Sequence, residues 1–371
     1  MTPVRKPGTL VMHIGPHKTA TSYLQHNFDA HRARLLEAGW LYPRTGERVR
    51  TAHHDISDLR ADLMSDDTPM VQELRQIGTR AKREGANILL SSEGFRHWRP
   101  KHYERLRDLT QTPHLHIAYT LRDPLDLLYA QWAQKVKNGS DQSLPEMFRQ
   151  HFTDVAKSPL LNPMLDLPPV LALPDVTATI LRYDAIVARQ QDIFTVFMEQ
   201  VLGLSGFAAI PSPSRNQRLP VELTEFIRAL QPLAGLEQSK TRIKLGQAFE
   251  LFLPEPFKQE IVDTIREHAA DARLVMEVRR ADLGLPAIDA QIIAAFGPLL
   301  YPPLEGNRPF ERETAAWVHY DAEALRQNPL VRQLMEQALR RTSQDSLWVR
   351  TANAGFAALI GLRRLRKRLR L

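Results

Sequence analysis

The chain has no cysteine among its 371 residues. A disulfide framework, a thiolate metal site and a thiol nucleophile are therefore all excluded. Long hydrophobic runs are missing as well, because the longest one, over 354–362, is far below the roughly 20 residues that a membrane-spanning helix needs. The apolar run near the N-terminus is too short for a signal peptide and has no small-residue cleavage site. With 43% hydrophobic residues, we expect a cytoplasmic protein with a large folded core.

Positive charge is concentrated at one end of the sequence. The formal net charge is +7, and the last nine residues, RRLRKRLRL, contain six basic residues. Because the remainder is close to neutral, we expect no nucleic-acid partner. Leu362, Leu365 and Leu369 share one helical face among arginines, a pattern that is typical of an interfacial helix. This tail is therefore either a peripheral contact with the inner face of the membrane or a solvated or packing helix.

Short aliphatic runs alternate with helical patterns in the first half of the chain. The predicted strands cover 9–15, 86–93, 115–122 and 176–184. The predicted helices cover 19–37, 69–84, 124–137 and 189–202. Continuous apolar strands that alternate with helices indicate a parallel sheet with crossover helices. The predicted fold class is therefore α/β, with a central parallel β-sheet flanked by helices.

The pattern changes in the second half of the chain. Proline density rises over 158–175, which predicts an irregular connection rather than a helix. We expect this connection to form part of the rim of the acceptor site. Helical spacing then dominates over 221–233, 257–278 and 322–342. The predicted organisation is an α/β core over 1–210, a mainly helical extension over 211–345 and a basic amphipathic tail over 346–371.

The segment HKTATSYLQ (17–25) follows the first predicted strand and opens a helix. A helix N-terminus presents free N–H groups and a positive dipole end, which bind phosphate or sulfate oxygens. Lys18 adds a positive charge, and Thr19, Thr21 and Ser22 add hydroxyl donors. The alternative is that these hydroxyls simply cap the helix. An ordinary ATPase loop is not expected, because the glycine and lysine spacing of Walker A is absent.

This loop resembles the 5′-phosphosulfate-binding loop of sulfotransferases that use 3′-phosphoadenosine 5′-phosphosulfate (PAPS). The family loop reads approximately K-[ST]-G-T-[TS] after the first strand. The residues that occupy the pattern here, and that the resemblance assigns to donor binding, are His17, Lys18, Thr19, Ala20, Thr21 and Ser22. Ala20 stands where the family usually has glycine, and it fits without strain only if its φ is negative.

The block LRDP (121–124) adds to the resemblance. In the family, an arginine at a strand end before [ND]-P binds the 3′-phosphate of the donor, and Arg122 matches that residue. An arginine fork can hold a phosphate by itself. The alternative for Arg122 is a structural ion pair with Asp123 or Asp126.

A serine that completes the family's 3′-phosphate site is missing here, because Ala130 stands at its position. Gln131 or Gln134 is a candidate substitute. The block RYD (182–184) resembles a family segment whose tyrosine lies near the adenine, so the resemblance implies that Tyr183 contacts the nucleotide, by stacking. A core tyrosine is the alternative. The resemblance covers about residues 9–205.

The resemblance implies a role for two side chains in catalysis. Lys18 would stabilise the negative charge on the leaving bridging oxygen, and a general base would take the proton of the acceptor hydroxyl. We favour Glu93 as this base, because it follows a predicted strand and ligands of parallel sheets lie at the carboxyl ends of strands. The other candidates for the base are His17, His53, His54 and His97. No metal is assigned.

The resemblance predicts a sulfotransferase of the bacterial carbohydrate-type branch. The sulfuryl donor would be PAPS, and the acceptor would be a hydroxyl of a carbohydrate or glycoconjugate. Two alternatives stay open, namely a nucleotide-dependent kinase or other phosphotransferase with an atypical loop, and a relative that binds nucleotide or glycan without turnover.

Overall fold

A computed structural model describes residues 6–46, 51–211, 219–234 and 244–342. The predicted basic tail over 346–371 lies outside the described residues. The described part forms two compact units, and each unit is built from several stretches of chain. Unit 1 takes its residues from Met1–Leu127, Asp154–Arg215 and Arg280–Glu313, and unit 2 takes its residues from Leu128–Thr153, Asn216–Arg279 and Thr314–Leu371.

The structure has eight strands in its described part. They are β1 (Thr9–Ile14), β2 (Trp40–Leu41), β3 (Asn87–Ser91), β4 (His114–Leu121), β5 (Val176–Arg182), β6 (Arg273–Arg279), β7 (Leu300–Tyr301) and β8 (Thr314–Tyr320). Unit 1 contains a six-stranded sheet in the order β2-β3-β1-β4-β5-β7, and every neighbouring pair in it is parallel. The predicted α/β class with a central parallel sheet is confirmed.

Helices flank this sheet and make up most of unit 2. Up to residue 152 they are α1 (Thr21–Ala30), α2 (Arg32–Glu37), α3 (His54–Asp58), α4 (Arg60–Leu63), α5 (Pro69–Glu84), α6 (Pro100–Thr110), α7 (Pro124–Lys137) and α8 (Leu144–Phe152). The later ones are α9 (Leu167–Leu171), α10 (Tyr183–Ala188), α11 (Ile193–Phe197), α12 (Val221–Leu230), α13 (Leu245–Phe252), α14 (Glu255–His268), α15 (Leu285–Phe296), α16 (Ala322–Gln327) and α17 (Pro329–Thr342). In the described part, no helix has the length and apolar character needed to cross a bilayer.

The predicted helices over 69–84 and 124–137 coincide with α5 and α7. The helix predicted over 19–37 is divided at His31 into α1 and α2. The helix predicted over 189–202 begins only at α11, and it continues as a π-helical turn over Met198–Leu202. The proline-rich stretch 158–175 was expected to be irregular throughout, but it contains α9, whose prolines occupy the first turn where no backbone N–H is needed.

One predicted helix is wrong over nearly half of its length. The helix predicted over 257–278 ends at His268 in α14, and the following residues form β6. Leu274, Val275 and Met276 pair with β8 in an antiparallel two-stranded sheet of unit 2. Three adjacent apolar residues satisfy a helical pattern as well as a strand pattern, so only the pairing with β8 distinguishes the two.

The last strand of the large sheet comes from a distant part of the chain. β7 pairs with β5 through Ile180 and Leu181, although about 120 residues separate the two strands. The buried guanidinium of Arg182, at the end of β5, donates hydrogen bonds to the backbone carbonyls of Pro302, Pro303, Arg308 and Pro309. The sheet of unit 1 therefore includes residues beyond the core predicted over 1–210.

Candidate active site

The predicted site residues gather at the carboxyl end of β1, which is the strand between β3 and β4. His13 pairs with Ser91 of β3, and Ile14 pairs with Tyr119 of β4. This register brings the loop over 15–20, here called the β1–α1 loop, beside the ends of β3 and β4. The chain winds to one side of β1 through β3 and then crosses to β4 on the other side. Such a topological switch point is where open parallel sheets bind ligands.

The β1–α1 loop contains two residues in the left-handed backbone conformation. The φ of Lys18 is 67°, and Ala20 has φ 60° and ψ 18°. The condition for Ala20 to replace glycine without strain, a negative φ, is therefore not met. Turns that use left-handed residues in this way bring successive backbone N–H groups to one side and form concavities that bind anions. Lys18 and Ala20 supply the left-handed residues that such a turn uses, although Ala20 carries a Cβ atom.

The hydroxyl groups of this segment do not cap α1. The N-cap residue is Ala20, no side chain caps it, and the first turn contains no acidic residue. The buried Thr19 hydroxyl donates instead to the carbonyl of Pro16 at 2.8 Å and lies 3.4 Å from the hydroxyl of Thr21. Thr19 therefore shapes the loop from inside, while Ser22 is exposed at its surface. The positive end of α1 has no neutralising group of its own, which favours a bound anion.

Arg122, at the end of β4, is tied to the same loop. One of its Nη atoms donates a hydrogen bond to the backbone carbonyl of Lys18. Its guanidinium carbon lies 5.3 Å from the ring centroid of Tyr183, and its buried Nε has no hydrogen-bond partner in the described structure. The carboxylate of Asp184 is 4.0 Å from this Nε, which is beyond hydrogen-bond distance. Arg122 thus has an unused donor close to the loop that the sequence assigns to an anion.

The two carboxylates that were alternative partners of Arg122 are paired with other arginines. Asp123 accepts a hydrogen bond from Arg280 at 2.6 Å, and Asp126 pairs with Arg312. Burial raises the pKa of Asp123 to about 7, although the charge of Arg280 opposes this effect. A neighbouring carboxylate, that of Asp184, accepts the backbone N–H of Asp123 at 2.6 Å.

Neither Asp184 nor Arg280 was predicted from the sequence to belong to this region. The only signal for Asp184 was its place next to Tyr183 in the RYD block. Arg280 comes from a part of the chain more than 150 residues beyond Asp123, so no local pattern could have connected the two.

The residues predicted to complete the 3′-phosphate site lie in α7, in the part of this helix that belongs to unit 2. Ala130 and Gln131 are partly buried there. The side-chain oxygen of Gln131 is buried without a hydrogen-bond partner among the described residues. The role of Gln131 or Gln134 beside Arg122 stays a prediction.

Glu93 begins a 3₁₀ helix over Glu93–His97 directly after β3. Its carboxylate is largely buried, and it lies between two imidazoles. Oε1 is 3.7 Å from Nδ1 of His17, and Oε2 is 3.9 Å from Nε2 of His54. Burial would raise the pKa of Glu93, but the interactions with the neighbouring His17 and His54 lower it to about 2. Three of the residues proposed from sequence for proton transfer are therefore neighbours.

His53 differs from its neighbour His54 because both of its ring nitrogens are engaged by the backbone. Nε2 lies 2.9 Å from the carbonyl oxygen of Pro43, and Nδ1 accepts the N–H of Ser91 at 2.9 Å. Burial lowers the pKa of His53 to about 4. His53 is therefore a neutral structural residue that fixes the start of α3 to the end of β3. His97 is exposed at the end of the 3₁₀ helix.

A buried polar cluster near Glu93 was not predicted from the sequence. Nδ1 of His13 lies 2.8 Å from the Ser91 hydroxyl, and Nε2 lies 3.3 Å from the Thr120 hydroxyl. Gln25 of α1 donates to the same Ser91 hydroxyl at 3.2 Å. Burial lowers the pKa of His13 to about 4, although Glu93 opposes this shift. This cluster joins β1, β3, β4 and α1, and its only sequence signal was a histidine in an apolar strand.

The 3₁₀ helix that begins with Glu93 is anchored at its other side. Arg96 donates to Asp166 at 2.9 Å through Nε, and both side chains are almost completely buried. Asp166 also accepts a hydrogen bond from the hydroxyl of Tyr119 at 3.4 Å. The proline-rich stretch 158–175 therefore serves as the support of the segment that positions Glu93.

Among the described residues, no group of three or more His, Asp or Glu side chains is arranged to hold a metal ion. Compared with family models, with curated proteins and with solved structures, the chain has no significant match. Its function is therefore inferred from the geometry of the site and from the sequence motifs.

Proposed function

We propose that the protein is a sulfotransferase that moves a sulfuryl group from PAPS to a hydroxyl group of a carbohydrate or glycoconjugate. The observation that carries this proposal is the β1–α1 loop, whose left-handed Lys18 and Ala20 precede a helix N-terminus without a cap. This loop faces an ionised carboxylate, Glu93, across the ends of neighbouring strands. An anion-binding loop beside a proton acceptor is what transfer of a sulfuryl group to a hydroxyl requires.

Each residue has a distinct role in this proposal. The backbone of the β1–α1 loop and Lys18 hold the 5′-phosphosulfate, which supplies the activated sulfuryl group. Arg122 binds the 3′-phosphate with its guanidinium group, and Tyr183 lies against the adenine. Lys18 stabilises the charge on the bridging oxygen more strongly in the transition state than in the ground state. Glu93 takes the proton of the acceptor hydroxyl.

The nucleotide site is tested by calorimetry with adenosine 3′,5′-bisphosphate (PAP) and with AMP, which lacks the 3′-phosphate. Lys18→Ala should weaken the binding of both nucleotides to a similar degree, whereas Arg122→Ala should weaken PAP more than AMP, because AMP lacks the 3′-phosphate. Each charged hydrogen bond contributes about 1.5–3 kcal/mol, so the expected loss is on the order of 10- to 100-fold. Lys101→Ala, which changes an exposed lysine of α6, is the matched control.

Turnover is tested with radiolabelled PAPS and a panel of glucose, galactose, N-acetylglucosamine and para-nitrophenol. Transfer of label to a hydroxyl supports the proposal. Preference for ATP with Mg²⁺ over PAP would contradict it and favour a phosphotransferase. PAP binding without transfer to any member of a broad acceptor panel would favour a protein that binds nucleotide without turnover.

A further inference from the structure

His54 bridges Glu93 and a chain of hydroxyl groups. Its Nε2 lies 3.9 Å from Oε2 of Glu93, and its Nδ1 lies 2.9 Å from the hydroxyl of Ser92. The Ser92 hydroxyl is in turn 2.8 Å from the hydroxyl of Ser57. Ser57 can donate to Oδ1 of Asp58 at 3.3 Å, and Asp58 is exposed to solvent. A series of polar contacts, in which the step from Glu93 to His54 is the longest, thus leads from Glu93 to bulk water.

The hydrogen bonds of this series can run in either direction, and the Ser57 hydroxyl can also donate to the carbonyl of His54 at 3.2 Å. One of the two directions carries a proton from His54 to solvent. Ser92 already accepts the backbone N–H of Gly94 at 3.2 Å, so its hydroxyl oxygen has room for one further donor. If Ser57 donates to the carboxylate of Asp58, Ser92 can donate to Ser57 and accept the proton on Nδ1 of His54. This direction leaves Nε2 of His54 unprotonated and directed at Glu93.

The packing around Ser57 keeps this series in place. A Cβ atom on Gly94 would lie 2.4 Å from the hydroxyl oxygen and 2.8 Å from the Cβ of Ser57. Only glycine therefore allows the 3₁₀ helix to approach α3 this closely. The carbonyl of Ser57 also accepts the indole N–H of Trp98 at 3.1 Å. Contacts on both sides of Ser57 thus fix the distance between α3 and the segment that carries Glu93.

Two other histidines near this carboxylate are less suited to accept its proton. His53 has both ring nitrogens in backbone hydrogen bonds. The side chain of His17 is about half exposed (53%), and it belongs to the β1–α1 loop that would hold the donor. The side chain of His54 is 35% exposed and lies next to the buried Ser92 and Ser57. His54 is therefore the histidine that joins Glu93 to this hydroxyl series.

We propose that His54 and Ser92 are positioning residues that carry the acceptor proton away from Glu93; this inference rests on the proposed function. In the transfer step the acceptor oxygen forms a bond to sulfur, and the bond from sulfur to the bridging oxygen breaks. The bonding electron pair leaves with PAP, and the acceptor proton moves to Glu93. Glu93 then passes a proton to Nε2 of His54, while the Nδ1 proton moves through Ser92 and Ser57 to Asp58 and water.

The relay gives the proton that Glu93 takes up a path out of a largely buried position. The gap of 3.9 Å between Glu93 and His54 exceeds the distance for direct proton transfer, but such contacts commonly shorten when the substrate complex forms.

The experiment compares His54→Ala with and without added imidazole, using radiolabelled PAPS and the best acceptor of the panel. We expect kcat to fall by about 10²-fold, near the lower end of what proton transfer contributes, while PAP affinity stays unchanged. Imidazole should restore kcat in a saturable manner, because the site of His54 is open to solvent. His54→Gln, which preserves the side-chain volume, should show the same fall without restoration.

Two control variants test whether restoration by imidazole requires both Glu93 and the vacated position of His54. Glu93→Gln should not respond to imidazole, because the first proton acceptor is then missing. His268→Ala, which removes an exposed histidine of unit 2, should retain wild-type kcat with and without imidazole. Wild-type kcat in His54→Ala, or a fall in kcat that imidazole does not restore, would overturn the relay and leave the proposed function intact. Absence of transfer by the wild-type protein would overturn both.

Discussion

Ala20→Gly should stabilise the protein, although the usual expectation for this substitution is a loss of stability. In the left-handed conformation that Ala20 adopts, with φ 60°, a Cβ atom costs about 1–2 kcal/mol. Glycine avoids this cost, but it gives the unfolded chain more freedom, which costs about 0.4–1 kcal/mol. The difference of the midpoints predicts that the free energy of unfolding rises by about 0.8 kcal/mol. PAP affinity should not fall, because the loop backbone already has the required geometry.

The measurement is urea-induced unfolding followed by tryptophan fluorescence, to which Trp40 and Trp98 of unit 1 contribute. The matched control is Ala290→Gly, an exposed position inside α15 of the same unit. A right-handed helix interior tolerates alanine well, so this control should lose about 1 kcal/mol. The two identical substitutions should therefore change stability in opposite directions. Equal losses in both variants would refute the left-handed conformation of Ala20.

Three further predictions concern the surroundings of the site. Glu93→Gln should lower kcat by about 10²-fold or more with unchanged PAP affinity, and normal turnover would exclude Glu93 as the base. Arg96→Met should lower the free energy of unfolding by about 3–5 kcal/mol, because it leaves a buried carboxylate without its partner; a loss below about 1 kcal/mol, as for an exposed pair, would contradict this burial. Burial lowers the pKa of His13, His53 and His116 from 6.5 to about 4, so the unfolded chain binds more protons. The free energy of unfolding should therefore be highest above pH 6.5 and fall as the pH drops towards 4. The loss is on the order of 3 kcal/mol at most for each histidine. Urea unfolding that is independent of pH between 6.5 and 4 would disprove this prediction.

The large sheet could be predicted from the sequence because its central strands are buried on both faces. β1 and β4 are mainly apolar runs between helical patterns, and this signal needs no knowledge of the partner strands. β2 and β7 were missed because each has only two residues, which is too short for any periodicity. Their place in the sheet is decided by pairing with β3 and β5, which a local pattern does not contain.

The sequence predicted the individual segments of the site but not the contacts between them. A basic, hydroxyl-rich segment at a strand end indicated the β1–α1 loop, because local backbone chemistry decides that feature. The contacts that organise it come from far along the chain, as when Arg122 donates to the carbonyl of Lys18. The same holds for the approach of His54 to Glu93, because spacing along the sequence does not determine which loops meet.

The guanidinium of Arg182 donates to four carbonyl groups that the ribosome adds more than 100 residues later. A nascent polypeptide that has grown only to residue 210 contains Arg182 but none of these acceptors. The edge of β5 would be unpaired in this fragment. The guanidinium of Arg182 would either stay in water or be buried without hydrogen-bond partners. The ribosome has to add the residues of α12 to α15 before the sheet can close. Folding of unit 1 should therefore be completed late in translation, and a fragment cut at residue 210 should not reach the native state.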